Sequence, residues 1–151
     1  MFISATTKDN QVKNVPWVVI TLIVVNSLLL VLSWFAPSSE SLFRTYGFTP
    51  SHPQESSVLT SMFLHAGFWH LFGNMWFLWM FGNRVKNTFG PWLFILVYLA
   101  CGLGGDLLHC VFNSTSSIPC VGASGAISAI VGCFFVLFPK RISIWSSTSV
   151  G

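Results

Sequence analysis

HAGFWHLFGNMWFLWMFG runs from His65 to Gly82, and how it is read decides what kind of fold the chain can have. It is apolar almost throughout. Joined to the residues just before it, it gives a run of about 62–82, long enough for a helix to cross a bilayer core, which takes roughly 20 apolar residues. Two polar side chains interrupt it, His70 and Asn74. Their i,i+4 spacing places them on one helix face, a turn apart. Because polar groups are costly against lipid, that face should point into a helix bundle or a wet cavity. There the pair would serve either as an interhelical hydrogen bond or as two donors for a developing oxyanion. His65 lies about 500° from His70 around a helix of 3.6 residues per turn, so it is expected to point elsewhere, near the membrane interface. With no Glu in an HExxH pattern, a zinc protease is not indicated.

The rest of the chain agrees with a lipid environment. Of 151 residues, 53% are hydrophobic and only 7% charged, with a mean hydropathy of +0.71. A soluble domain of this length lacks the interior to hide so much apolar surface. The formal charge of +3 rests on few, scattered residues, which excludes a nucleic-acid surface. Four apolar segments are expected as helices, at about 15–36, 62–82, 91–112 and 121–139, since a backbone in lipid must satisfy its own hydrogen bonds. The polar connection PSSESLFRTYGFTPSHPQESS, rich in Pro and Ser, is expected to be an irregular surface loop.

The basic residues give an orientation. Lys8 and Lys13 precede the first segment, Arg84 and Lys86 lie between the second and third, and Lys140 and Arg141 follow the fourth. Only Arg44 falls on the opposite side. The positive-inside rule then assigns both ends of the chain to the cytoplasm. In this topology His65, His70, Asn74 and Ser124 all lie near the outer ends of their helices. Asp106 and His109, late in the third segment, reach a similar depth and at i,i+3 are spaced to pair as a stand-in acid and base or as ordinary interfacial residues.

The fourth segment opens with VGASGAISAIVG, from Val121 to Gly132. Ser124 there has two readings. It is either an N-cap or packing residue among small neighbours such as Gly122, Gly125 and Ala126, or a nucleophile beside the free amides of a helix N-terminus. The flanking glycines would let a substrate backbone come close. Cys101, Cys110, Cys120 and Cys133 show no metal-ligand spacing. Cys110 and Cys120 flank one loop and would form a disulfide only in an oxidising compartment; otherwise they are apolar thiols. Asn113-Ser114-Thr115 is a glycosylation sequon, meaningful only in a eukaryotic secretory membrane.

TSMFLHAGFWHLFGNMWFLWMFG, then FGPWLFILVYLACGLGG, then VGASGAISAIVG resemble, in order and spacing, the rhomboid family of intramembrane serine proteases. The resemblance extends from the long first loop to Lys140. It implies an all-α polytopic membrane protein, with four transmembrane helices of a six-helix bundle in a partial domain over 15–141. Residues 1–14 would form a cytoplasmic segment and 142–151 a truncated tail. It implies Ser124 as nucleophile, His70 and Asn74 as oxyanion donors, and His65, Gly122 and Gly125 in support. It further implies membrane-anchored protein substrates and no metal or organic cofactor. Lys86 stands where the family often carries Glu, and Ser128 where an aromatic is frequent. The family's general base is a histidine on a sixth helix, beyond the four segments read here. A serine without its base loses on the order of 10⁴ to 10⁶ in rate. The chain as read is therefore expected to be close to inert, or to be a catalytically dead relative that binds client helices.

Overall fold

The computed structural model describes residues 15–139. Lys8, Lys13, Lys140 and Arg141, with the segments 1–14 and 142–151, lie outside the described residues. The described chain is helical: α1 Trp17–Trp34, α2 Ser39–Tyr46, α3 Ser57–Thr60, α4 Phe68–Phe77, α5 Asn83–Phe89, α6 Pro91–Phe112 and α7 Ser124–Leu137. A 3₁₀ turn, Ser61–Phe63, follows α3, and a π segment, Leu78–Gly82, joins α4 to α5. Among the described residues no strand forms, only one antiparallel bridge between Phe48 and Cys120.

Local sequence explains most element ends. α1 carries almost nothing polar, and its two buried polar side chains bond within the helix. Asn26 Nδ2 donates to Leu22 O at 2.7 Å and Ser33 Oγ to Leu30 O at 2.7 Å. At the far end of α5, Gly90 takes φ +77 and gives its N–H to Lys86 O at 2.8 Å. Pro91 then starts α6, where its missing N–H costs nothing. This two-residue corner turns the chain sharply, so α5 and α6 lie side by side.

Two expectations need correction here. The polar connection after α1 is not irregular throughout, because it contains α2. Ser38 caps that helix by accepting the Ser41 N–H at 3.3 Å, and Arg44 pairs with Glu40 one turn back at 2.9 Å. These are local helix signals that a count of Pro and Ser hides. The second apolar run is also displaced. Its helix starts at Phe68 rather than near residue 62, after extended Gly67, and continues through the π segment to Phe89.

Of the four expected spans, two helices, α1 and α6, are by themselves long and apolar enough to cross a membrane. α7 is apolar but shorter, at 14 residues. The core lies where α4, the π segment, α6 and α7 meet, around Leu78, Phe94, Tyr98, Ala126 and Ile130. Outside it, large apolar side chains such as Trp92, Leu96 and Val136 are largely exposed to the surroundings. α6 and α7 approach most closely through glycine. A Cβ built on Gly125 would lie 3.2 Å from Gly105 Cα, and one on Gly105 would lie 3.1 Å from Gly125 Cα. Such backbone contact is how helices pack when lipid removes the hydrophobic incentive.

Candidate active site

Ser124 is the first residue of α7. Its side chain is exposed and makes no capping bond, and Ala123, wholly buried, occupies the cap position. The N-cap reading of this serine therefore fails. The first bond of the helix runs from Ile127 N to Ala123 O at 2.9 Å. The amides of Ser124, Gly125 and Ala126 precede it and have no intrahelical acceptor.

The turn before Ser124 lies directly against α4. Gly122 has φ +127, a left-handed conformation that side chains rarely adopt. A Cβ there would sit 2.7 Å from His70 Cε1, 2.8 Å from His70 Nε2 and 3.8 Å from Asn74 Nδ2. Glycine is thus required twice, by the backbone angle and by the space. Asn74 is buried and its Nδ2 has no hydrogen-bond partner among the described residues. A buried amide donor without a partner, one turn from His70 and facing the Ser124 turn, is arranged to receive a negative oxygen.

His65 is not where helical periodicity places it. Residue 65 precedes the helix, in the loop that leads to α4, and its ring folds back edge-on to His70 with centroids 5.2 Å apart. It is 1% exposed, and neither ring nitrogen has a partner among the described residues. The buried His65 ring thus supports His70 from behind.

Asp106 and His109 do not pair. Asp106, buried, accepts a hydrogen bond from Ser61 Oγ at 2.6 Å, while the side chain near His109 is that of Asn113, whose Nδ2 donates to His109 O at 3.2 Å. The i,i+3 spacing permitted a contact that packing against the 3₁₀ turn replaced. Ser61 in turn accepts the Gly122 N–H on its main-chain oxygen at 2.8 Å. Sequence reading missed this link because nothing in the run around Ser61 distinguishes its hydroxyl from a surface serine. The four cysteines are free. Cys110 Sγ lies 3.9 Å from Pro50 O, and Cys120 is held in its bridge to Phe48. Burial, followed by the nearby Asp106 carboxylate, pushes the Cys120 thiol up. Lys86 is buried in α5, and Ser128 is exposed on α7.

Residues 52–150 match the Rhomboid domain. The chain is 36% identical over 87 residues to Rhomboid protein 1, mitochondrial, of Saccharomyces cerevisiae, covering 55% of this chain and 25% of that protein. It is 41% identical over 75 residues to Rhomboid protease GluP of Bacillus subtilis, covering 50% and 14%. Over a longer stretch of 129 residues it is 30% identical to the mouse (Mus musculus) Presenilin-associated rhomboid-like protein, mitochondrial, covering 82% and 34%. The chain spans about a third or less of the length of these curated relatives. It belongs to the rhomboid family, whose members are embedded in membranes.

Proposed function

We propose that this chain carries the nucleophile and oxyanion groups of an intramembrane serine endopeptidase that cleaves membrane-anchored proteins. The observation that carries the reading is the Gly122 contact, which brings the Ser124 turn against both His70 and Asn74. In the reaction, Ser124 Oγ attacks a peptide carbonyl and its proton passes to a base. The carbonyl oxygen gains negative charge and takes hydrogen bonds from Asn74, His70 and the free amides at the start of α7. The C–N bond then breaks, the amine leaves with the proton, and water releases the acyl group from Ser124.

The reading has four spans at about 15–36, 62–82, 91–112 and 121–139, with the basic ends in the cytoplasm and Ser124 toward the opposite face. A second reading, a relative that binds client transmembrane helices without cutting them, is favoured by one observation. Among the described residues no side chain hydrogen-bonds Ser124. The wholly apolar groove of about 420 Å³ between α1 and α4, lined by residues such as Ile23, Phe72 and Trp76, suits a client helix.

A small external base separates the two. The chain is embedded in vesicles and treated with a serine-directed fluorophosphonate, with and without millimolar imidazole to stand in for a base. Labelling near background alone, raised by imidazole and abolished in Ser124→Ala, is expected. His70→Ala and Asn74→Ala should each lower the imidazole-dependent rate by roughly 10² or more, as for loss of an oxyanion donor. Strong labelling without imidazole would also support a peptidase and would identify a base within the chain, with His109 the first to substitute. No labelling of Ser124 under either condition rejects the peptidase and leaves client binding.

A further inference from the structure

Asp106 has no assigned role, yet it is a buried acidic group in an apolar helix, where a carboxylate is kept only at a cost. Its partner is specific. Ser61 Oγ donates to Asp106 Oδ2 at 2.6 Å, a length typical of a charge-assisted hydrogen bond, while its other acceptor, Val58 O, is 3.2 Å away. The same residue, through its main-chain oxygen, holds the Gly122 N–H at 2.8 Å. Beside it, Met62 fills the space over Gly102, where a Cβ would come within 2.6 Å of Met62 Sδ. The 3₁₀ turn Ser61–Phe63 is thereby fixed to α6 on one side and to the turn before Ser124 on the other.

We propose that Asp106 is a positioning residue for that turn: through Ser61 it sets where Gly122, and with it Ser124, stands against His70 and Asn74. The tolerance is small. The Gly122 N–H is held by Ser61 O at 2.8 Å, and a Cβ on Gly122 would meet the His70 ring at 2.7 Å, so movement of the 3₁₀ turn is transmitted to Ser124 and its free amides. The bearing on catalysis rests on the peptidase reading above; the clamp itself does not.

Amide exchange at Gly122 tests the clamp directly. Labelling the chain with ¹³C-carbonyl valine and ¹⁵N glycine selects the Val-Gly pairs, which are Gly122, Gly132 and Gly151. Gly132, inside α7, serves as the internal control. Ser61→Ala and Asp106→Leu should speed Gly122 exchange roughly five- to tenfold relative to Gly132, the size of one net hydrogen bond. Ser61→Thr and Asp106→Asn, which keep a hydroxyl and an acceptor, should restore protection. Unchanged Gly122 exchange in Ser61→Ala overturns the proposal, and this milder variant decides the matter if Asp106→Leu also loses Gly132 protection. In the imidazole assay, Ser61→Ala should slow Ser124 acylation without weakening probe binding, and Ser61→Thr should recover it. Unaltered acylation despite a freed Gly122 amide would overturn the positioning role. If the unaltered chain is never acylated, the peptidase reading fails and the exchange result still decides the clamp.

Discussion

The His65 ring lies edge-on to His70, with centroids 5.2 Å apart, because extended Gly67 precedes α4 and lets the chain fold back. The angle between positions 65 and 70 in a continuous helix does not apply across that break. The burial of His65 has a measurable consequence, because the ring fills space against His70 at 1% exposure. His65→Ala should lower the thermal unfolding midpoint in detergent more than His65→Gln, which refills most of that volume, and equal midpoints would show that the ring does not support the packing there.

Helix packing depends on what glycine leaves out. α6 and α7 touch backbone to backbone at Gly105 and Gly125, and the end of that contact is also the start of α7, where Ser124 sits. Gly125→Ala must push the helices apart, because the neighbouring atom is a main-chain carbon that cannot turn aside. Overpacking of this kind costs about 1–3 kcal/mol. Gly132→Ala on the same helix, with nothing within 4 Å of the added methyl, should be neutral or slightly stabilising, since alanine is the better helix former. Denaturation of the two variants side by side checks this, and equal stability would remove the close approach as a structural determinant. The π segment Leu78–Gly82 belongs to the same scale. It keeps residues 68–89 helical while Gly82 admits Val19 and Phe94 at the core.

At the scale of the molecule, the proposed orientation in the membrane is tested from two positions. Arg84 lies in α5 and Ser117 in the loop before α7, both exposed, and the orientation proposed above has Arg84 on the cytoplasmic side. With the native cysteines replaced, Arg84→Cys and Ser117→Cys should react with an impermeant maleimide from opposite faces of sealed vesicles. Reaction from the same face would refute the topology and with it the outward placement of Ser124. The aromatic column Phe68, Phe72 and Trp76, stacked along the exposed side of α4, is the surface expected to meet lipid.

What was legible in the sequence was whatever depends on near neighbours. Apolar run length gave helices, i,i+4 spacing put His70 and Asn74 on one face, and the small residues about Ser124 marked a close approach. Only the tertiary structure decided that Ser124 is not a cap, that His65 backs His70, and that Asp106 serves Ser61 rather than His109. Those outcomes turn on contacts such as Ser61 to Asp106, 45 residues apart. Spacing along a chain sets which face a residue occupies, but which partner meets that face is settled by how the helices and their connecting turns pack.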